Sequence, residues 1–327
     1  MRFASLMVAV ALLVACGDRR PPRTRLVLAS VRQPATALPL VAAASGCFAA
    51  EGLEVEERSF DLGRDALALL RAGGADVAVA FETPVLQAAH ADGRLRALTA
   101  LHTSTRNTRL VVRAASGIRG FSDLGGRRIG LAPGTNADFF ADLALRLGGV
   151  PRDRVVLVPG APAESVEALA AGALDAAVLS DPPAQEAERR LGPGAQVFQT
   201  DLYVEVSLLV TRDDVLAARP AALRALLRGL ACGERRVRAD RDGARALIRG
   251  RFPETGDAAL AAQLERVRWG IGLDNVLVDV LRRERDALTA AGALRGDPPD
   301  LHQLVAPALL EQVAPEAVML LPGDARW

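Results

Sequence analysis

The fold is decided by residues 130–140, which read Gly-Leu-Ala-Pro-Gly-Thr-Asn-Ala-Asp-Phe-Phe. The apolar run that ends at Ala132 is typical of a buried strand, and the Pro-Gly pair after it breaks the strand. Thr135 and Asn136 can cap the helix that the apolar spacing predicts over residues 137–147. A strand that turns directly into a helix leaves backbone N–H groups unpaired, and these donors can bind an anionic or polar group. A capped helix that faces water has the same pattern, so this stretch alone leaves both interpretations open.

The order of strands and helices repeats along the chain. Residues 65–81 and 165–179 each read helix, glycine stop, aspartate and apolar strand, and an acidic residue with a nearby proline follows each strand, at Glu82 and Asp181. The 327 residues also exceed the usual size of one hydrophobic core. The sequence therefore predicts an α/β protein with two compact lobes. It further predicts a polar loop over 102–108 and helices over 220–238, 244–252, 257–268 and 276–291.

Composition excludes some classes of function. Half of the residues are apolar, and 40 basic side chains nearly balance 39 acidic ones, which is typical of a soluble globular protein and provides no electrostatic footprint for nucleic acid. The three histidines are isolated and no Cys-x-x-Cys cluster occurs, so we expect no metal site and no cofactor. Cys47 and Cys232 can pair in an oxidising compartment, or Cys232 can be a buried free thiol, and the sequence leaves this choice open.

The first residues are typical of a processing signal rather than of folded structure. Arg2 supplies a positive charge, residues 6–14 form an apolar run too short to span a bilayer, and Ala15 is a small residue at a cleavage position. Leu13-Val14-Ala15-Cys16 resembles a bacterial lipobox, in which Cys16 becomes the lipid-modified first residue of the mature protein. A plain secretory signal with an incidental cysteine is the alternative.

This interpretation makes residues 1–16 a lipoprotein signal segment. Residues 17–25 are polar and contain proline, which is typical of a tether. The folded part is therefore predicted to begin near Leu26, in the periplasm or at the cell surface, and to be held to a membrane by its lipid anchor.

Short motifs follow one another in a set order from Leu26 to the end of the chain. They are Gly46-x-Phe48-x-x-Glu51-Gly52-Leu53-x-Val55, Leu70-x-x-Gly73-x-x-Asp76, Asp123-Leu124-x-Gly126-x-Arg128-Ile129-Gly130, Pro133-Gly134-Thr135, Leu208-Leu209-Val210-Thr211-Arg212 and Gly292-x-Leu294. In this order and spacing they resemble the substrate-binding lipoproteins of the nitrate, sulfonate and taurine, and thiamine-precursor uptake systems.

The resemblance implies a two-lobed periplasmic-binding fold of type II. Each lobe is then an open, mostly parallel sheet with flanking helices, and the chain crosses twice between the lobes. Lobe I is expected to comprise residues 26–110 and 205–327, and lobe II residues 111–204. The implied partners are one small ligand held in the cleft and the permease and ATPase of an ABC transporter, with the receptor itself a monomer.

The candidate ligand-binding residues follow strands at their carboxyl ends, where ligands bind in open α/β sheets. Tyr203, which precedes a β-prone segment, is added as a candidate to stack on a ligand ring, although it is as well suited to a core. For each position a turn or cap that faces water is the alternative. The predicted set is Arg32, Thr36, Asp61, Gly63, Glu82, Thr83, Gly134, Thr135, Asn136, Ala137, Asp181 and Tyr203.

Capture without chemistry is the predicted function. Acidic side chains among the candidates favour a ligand that carries a basic nitrogen beside its polar or anionic end, such as an aminosulfonate or an aminopyrimidine thiamine precursor. Related folds include pyrimidine synthases and porphyrin-forming enzymes, but no histidine lies near a Gly-x-Ser-x-Gly turn, so we expect no catalytic residue. A ligand-sensing receptor that acts through a separate signalling protein is the other alternative.

Overall fold

A computed structural model describes residues 23–321. The predicted signal segment, residues 1–16, lies outside the described residues, and so do Cys16 and most of the predicted tether. Within the described part of the chain, no helix is both long enough and apolar enough to cross a membrane.

Strands and helices alternate along most of the chain. The strands are β1 (Thr24–Val31), β2 (Leu53–Phe60), β3 (Val77–Phe81), β4 (Leu95–Ser104), β5 (Arg109–Arg113), β6 (Arg128–Leu131), β7 (Val156–Pro159), β8 (Ala176–Leu179), β9 (Ala195–Phe198), β10 (Glu205–Arg212), β11 (Arg268–Asp274) and β12 (Val318–Met319). The helices are α1 (Leu38–Ala44), α2 (Cys47–Ala50), α3 (Gly63–Arg71), α4 (Glu82–Ala91), α5 (Asn136–Leu147), α6 (Pro162–Ala170), α7 (Pro183–Leu191), α8 (Asp213–Ala218), α9 (Pro220–Ala239), α10 (Arg241–Arg251), α11 (Asp257–Glu265), α12 (Asn275–Ala290), α13 (Leu301–Leu304) and α14 (Ala308–Val313).

Two β-sheets organise these elements, which confirms the predicted α/β fold. The larger sheet has the order β12-β11-β4-β10-β3-β1-β2, and the smaller has the order β7-β6-β8-β5-β9. In the larger sheet β1, β2 and β3 are parallel, and β10 is antiparallel to both of its neighbours, β3 and β4. In the smaller sheet β6, β7 and β8 are parallel and β5 is antiparallel to β8 and β9.

The chain passes twice between the two sheets. Strands of the larger sheet come from residues 24–104 and 205–319, and strands of the smaller sheet come from residues 109–198. We call the body built on the larger sheet lobe I and the body built on the smaller sheet lobe II. Because β5 begins at Arg109, the boundary predicted at 110 falls inside that strand; the division into separate folding units stays a prediction.

Apolar sequence on both faces explains where the core of lobe I lies. Every residue of β3, Val77–Phe81, is buried, and the strand lies between β10 and β1 in the middle of the sheet. On one side α3 packs its apolar stripe, Leu67 and Leu70, into the same cluster of buried side chains. Burial of a leucine side chain contributes about 1.5–3 kcal/mol, so this stripe fixes how α3 lies on the sheet.

The stretch around Thr135 forms the predicted strand, turn and capped helix. Strand β6 ends at Leu131, Gly134 has a φ of 68°, and α5 begins at Asn136. The Thr135 hydroxyl oxygen accepts a hydrogen bond from the backbone N–H of Ala137, which confirms the predicted cap. The left-handed backbone favours glycine at Gly134, and a Cβ there would also lie 3.0 Å from the Gln87 side chain.

Two predictions in the larger sheet were wrong. The helix predicted over 257–268 ends at Glu265, and residues Arg268–Asp274 form β11, an antiparallel neighbour of β4. The polar loop predicted over 102–108 begins only after Ser104, because β4 continues through His102 to pair with both β10 and β11. In both places the pairing partner is distant in the chain, and sheet pairing overrides the local pattern.

The two described cysteines form a disulfide between Cys47 and Cys232, with their Cα atoms 5.8 Å apart. This resolves the choice that the sequence leaves open. The bond joins the start of α2 to α9, which packs along α1 and α2. It therefore fixes α9, the longest helix that the structure describes, to the chain segment that follows β1.

Candidate functional site

The two lobes face each other with the carboxyl ends of their parallel strands. In lobe I, β1 and β3 end at this edge, and β4, which is antiparallel to β10, runs in the same direction. In lobe II, β6 and β8 end at the facing edge. Side chains that follow these strands therefore meet between the lobes, where ligands of open α/β sheets bind.

Glu82 is the centre of the contact between the lobes. It is the first residue of α4 and is 0% exposed. Its Oε1 atom accepts hydrogen bonds from Asn136 Nδ2 and from the Tyr203 hydroxyl, both at 2.7 Å, and its Oε2 atom accepts one from the backbone N–H of Val206 at 2.8 Å. One carboxylate thus joins lobe I to α5 of lobe II, and also to residues 203–206, where the chain returns from lobe II to lobe I.

Two further carboxylates lie beside Glu82 in the same buried region. Glu205, the first residue of β10, accepts hydrogen bonds from Asn107 Nδ2 at 2.6 Å and from the Thr108 hydroxyl. It therefore joins the end of the second crossing between the lobes, residues 199–204, to the first crossing, residues 105–108. Glu284 of α12 accepts a hydrogen bond from the Thr83 hydroxyl, while its second oxygen is buried without a hydrogen-bond donor. We call Glu82, Glu205 and Glu284 the carboxylate cluster.

Burial dominates the electrostatics of the carboxylate cluster. Loss of hydration raises the pKa of Glu82 well above its usual value, and the neighbouring Glu284 and Glu205 carboxylates raise it further. Burial likewise raises the pKa of Glu284 to about 8. Within residues 23–321 no arginine lies at ion-pair distance from Glu82 or Glu284. Glu82 and Glu284 therefore hold protons that a carboxyl group in water would release.

Tyr203 links the carboxylate cluster to the apolar core of lobe II. Its ring packs against Phe139 and Phe140, with ring centroids 5.7 and 5.8 Å away, and the side chain is buried. Burial and the Glu82 carboxylate raise the pKa of Tyr203 well above its usual value, so the hydroxyl keeps its proton and donates a hydrogen bond to Glu82. The ring thus lies in the core while its hydroxyl lies at the lobe contact.

Asp181 is also buried between the lobes, but its charge is neutralised. Its Oδ1 atom lies 2.6 Å from Arg109 Nη2 in lobe II, and its Oδ2 atom lies 2.7 Å from Arg266 Nη1 in lobe I. Arg109 in turn contacts Glu188 at 2.8 Å. Asp181 is therefore the middle of a chain of ion pairs that crosses from one lobe to the other.

Helices on both sides of the ion pairs hold the lobes closed. On one side Gln185 of α7 donates to the carbonyl oxygen of Ala259 at 3.0 Å, and Gln263 of α11 donates to Gln185 at 2.7 Å. On the other side the Arg64 guanidinium donates to the carbonyl oxygen of Pro133 at 2.5 Å. The structure is thus a closed form in which protein groups fill the contact between the lobes.

Apart from Asp181, whose ion pairs are described above, the predicted candidates divide into two groups. The structure brings Glu82, Thr83, Asn136 and Tyr203 together in or beside the carboxylate cluster. The remaining candidates make other contacts. Arg32 pairs with Glu254 at 2.8 Å, Thr36 donates to the carbonyl of Val31, Asp61 is exposed, Gly63 packs on Ala80, Gly134 donates to Asp138, and Thr135 with Ala137 forms the cap. A role in ligand binding stays a prediction for all of them.

Several buried polar residues of the site were not predicted. Glu284 could have been found, because it occupies a position of the apolar stripe of α12 that Leu277, Leu281 and Leu288 otherwise fill. Glu205, His102 and Ser207 carried no such signal. Ser207 Oγ lies 2.6 Å from His102 Nδ1, and both residues are fully buried in adjacent strands.

The described residues contain no cluster of histidine, cysteine, aspartate or glutamate that could hold a metal ion. The side chains that meet here provide hydrogen-bond donors and acceptors in a buried region.

Comparison with known proteins finds a matching family model and several similar sequences. A family model described as "NMT1/THI5 like" matches residues 33–244. A protein of Brucella abortus (strain 2308), named only as a candidate binding protein, is 24% identical over 196 residues, which is 59% of this chain and 60% of the relative. A protein of Brucella suis biovar 1 (strain 1330) with a similar name gives the same values. The match thus spans 60% of the length of these curated relatives.

Solved structures resemble nearly the whole chain. The alkanesulfonate-binding protein of Xanthomonas axonopodis pv. citri, bound to MOPS, has a TM-score of 0.73 at 17% identity and covers 92% of this chain and 100% of its own. The periplasmic aliphatic sulphonate binding protein of Escherichia coli has a TM-score of 0.75 at 17% identity and covers 87% and 98%. The desulfurization enzyme DSZB has a TM-score of 0.69 at 20% identity and covers 90% and 99%. The likeness confirms the periplasmic-binding fold, and at these identities it concerns the fold alone.

Proposed function

The chain belongs to the NMT1/THI5-like family, and from this premise we propose that it is an extracytoplasmic solute-binding protein. It captures a small polar or anionic organic solute between its lobes and delivers the solute to an ABC transporter. The observation that supports this most is the set of hydrogen bonds on Glu82. A carboxylate that binds both lobes and the returning segment forms these contacts only when the lobes are closed.

Closure is the step that would make capture useful to a transporter. The crossings, residues 105–108 and 199–204, are the natural hinge, because they alone connect the strands of the two lobes. A solute that contacts both lobes favours the closed state, and a shift from about 1:99 to 99:1 requires roughly 10⁴-fold preference for that state. The transporter then distinguishes the loaded receptor by its shape.

The buried carboxyl groups of the site indicate which class of solute it binds. Asp181 is already paired with two guanidinium groups, whereas Glu82 and Glu284 have no cationic partner among the described residues. A solute that combines an anionic or polar end with a basic nitrogen suits such a site, since the nitrogen can donate to a buried acceptor. We therefore propose a sulfonate of the taurine type or a pyrimidine precursor of thiamine, rather than a bare inorganic anion such as nitrate.

An enzyme is the second candidate, because the desulfurization enzyme DSZB shares the fold. The Ser207–His102 pair has the contact that nucleophilic catalysis needs, and His102 Nε2 lies 3.7 Å from Glu205. His102 lines a cavity of about 630 Å³, but Ser207 is 0% exposed within the sheet, and Cys47 is held in a disulfide and so is not a free thiol. A nucleophile must reach its substrate, so burial of Ser207 favours capture over catalysis.

The same proposal places the protein at a membrane. Lipid modification of Cys16 would hold a monomeric receptor in the periplasm or at the cell surface, close to the permease and ATPase that receive the solute. A signalling protein in place of the transporter is the alternative, and the receptor itself would bind its solute in the same way.

The deciding experiment is a thermal-shift screen with taurine, other sulfonates, nitrate, amino acids and aminopyrimidines. A solute that binds the native state raises the unfolding midpoint, and its mass should be unchanged after recovery from the protein. Conversion of a bound probe to a product would favour the enzyme. Absence of any shift across the screen, with a folded protein, would contradict the proposed solute classes.

A further inference from the structure

A trench on lobe I adjoins the site between the lobes, because His102 and Val206 line its larger cavity. Two cavities form it, one of about 630 Å³ between α9, β11 and the end of the described chain, and one of about 470 Å³ between α9, α10 and α11. Arg238, Arg268 and Trp269 line both cavities, so the two are adjacent. Each cavity alone has the volume of a small-molecule site, and together they exceed what one compact solute fills.

One end of the trench is cationic. Four guanidinium groups line the smaller cavity, from Arg238, Arg241, Arg245 and Arg268, against the two carboxylates of Asp242 and Glu265. Arg238 pairs with Glu234 and Arg245 pairs with Asp242. Among the described residues no acidic side chain pairs with Arg241 or Arg268. This end therefore carries guanidinium groups that are free to bind carboxylates.

The rim of the other end of the trench is apolar, while the carboxylates of Glu234, Asp274 and Glu316 also line this larger cavity. Ile271 lines the larger cavity, and at its rim Val276 is 61% exposed and Met319 is 64% exposed. Large apolar side chains with such exposure, placed beside a groove, are typical of a surface that binds a partner. Between the two ends the Trp269 ring is held in place, because its Nε1–H donates to the carbonyl oxygen of Ala35 at 2.7 Å.

The wall of the trench is connected to the closed form. Leu264 and Glu265 of α11 line the smaller cavity, and Gln263 of the same helix donates to Gln185 of lobe II. Opening of the lobes breaks this contact and the hydrogen bond from Gln185 to the carbonyl oxygen of Ala259, so α11 loses its contacts with Gln185. The shape of the cationic end therefore depends on whether the lobes are closed, which is what a partner of the loaded receptor has to recognise.

We propose that the trench docks a segment of the transporter's membrane subunit in which acidic residues are followed by apolar ones. The carboxylates lie among the guanidinium groups of Arg241 and Arg268, and the apolar side chains cover Ile271, Val276 and Met319. This rests on the transport role proposed above. It adds the surface and the chemistry of the partner to that role.

The test uses a synthetic acetylated peptide of several glutamates followed by several leucines, added to the full folded protein. Binding is followed by calorimetry and by the fluorescence of Trp269, with Trp327 replaced by phenylalanine so that only one tryptophan emits. We expect R241E/R268E to weaken binding at least about fivefold, since each reversal replaces an attraction with a repulsion. The matched control, R146E/R295E, reverses two exposed arginines outside the trench and should bind the peptide like the native protein. The peptide with glutamine in place of glutamate should bind far more weakly. Added salt should weaken binding of the acidic peptide only, because salt screens charge interactions.

Equal loss of binding in both double variants would overturn the proposal, because a general charge effect would then explain it. Equal binding of the acidic and glutamine peptides would overturn it as well. Vesicles of phosphatidylglycerol separate a membrane from a protein partner: adsorption to vesicles that R241E/R268E abolishes, without peptide binding, would overturn the proposal in favour of a lipid surface. The thermal-shift screen keeps the two proposals apart, because R241E/R268E should capture solutes like the native protein, whereas failure of the native protein in that screen concerns the transport role.

Discussion

Asn136 of lobe II donates a hydrogen bond to the Glu82 carboxylate of lobe I over 2.7 Å, and both side chains are buried. The same carboxylate accepts from Tyr203, so removal of one donor leaves a buried oxygen with fewer partners. Leaving a buried donor or acceptor without its partner costs about 1–3 kcal/mol. This contact therefore accounts for a measurable part of the stability of the closed form.

The first prediction concerns this contact. Asn136→Ala should shift the lobes toward the open form and weaken capture of any solute found in the screen by about 1–3 kcal/mol, because Glu82 loses a buried donor. Small-angle scattering should show a larger radius of gyration than for the native protein. Asn275→Ala, at the start of α12 in lobe I, is the control and should leave the radius unchanged. An unchanged radius in Asn136→Ala would remove Asn136 from the closure mechanism.

The second prediction concerns Arg266, whose guanidinium crosses from lobe I to Asp181. Arg266→Ala leaves Asp181 with Arg109 alone, and we expect the closed form to become less populated and solute affinity to fall. Arg266 is partly exposed, so the effect on global stability should be small. Hydrogen exchange of α7 and α11 would measure the change, with Arg295→Ala as control. Equal protection of these helices in both variants would contradict a role of this ion pair in closure.

The third prediction concerns pH. Burial raises the pKa of Glu284 to about 8 from an ordinary value of 4.5, so the folded protein binds a proton that the unfolded chain releases between these values. The stabilising contribution of the protonated group is complete below the unfolded pKa and is lost as pH rises through the folded pKa. The free energy of unfolding should therefore fall between about pH 5 and pH 8, by at most about 1.4 kcal/mol per pH unit for this group.

Urea unfolding across that range measures the slope, and Glu284→Gln tests its origin. Glutamine cannot ionise, so the variant should show a flatter dependence on pH than the native protein. Glu54→Gln, at an exposed position on β2, should keep the native slope. The same slope in all three proteins would show that Glu284 is not the titrating group.

The fourth prediction concerns the disulfide between Cys47 and Cys232. Removal of a native disulfide costs about 2–5 kcal/mol, mostly because the unfolded chain gains freedom. Cys47→Ala/Cys232→Ala should lower the urea midpoint by a corresponding amount, and a reducing agent should lower the midpoint of the native protein alike. The double variant is its own control, since the reducing agent should leave its midpoint unchanged. A native protein insensitive to reduction under unfolding conditions would contradict a stabilising bond.

The sequence predicted a contact only where its two partners lie close together along the chain. The cap at Thr135 was predicted because its partner, Ala137, is a neighbour. Glu82 was selected because it follows a buried strand, but its contact with Asn136 joins residues 54 apart, and no local pattern contains that information. The contact of Thr83 with Glu284 joins residues 201 apart.

Strand β11 shows the same limit for secondary structure. Residues Arg268–Asp274 contain two glycines and follow a helix, so local propensity does not mark them as a strand. They become one because the edge of β4 is available for pairing. The apolar run of β3 and the glycine stops, by contrast, are local, and local signals of this kind predicted the order of strands and helices from β6 to β8 in lobe II.

The position of β10 sets an order of events during synthesis. This strand lies between β3 and β4 in the larger sheet, yet it emerges only after all strands of lobe II. Lobe II is continuous in sequence, so its sheet can form completely once β9 has been synthesised. The sheet of lobe I cannot form completely at that stage, because the position of β10 between β3 and β4 is still empty. Until β10 enters, β3 and β4 have unpaired edges, which are the surfaces that aggregate in incomplete sheets. A nascent chain halted before residue 205 is therefore the form of this protein that most needs a chaperone.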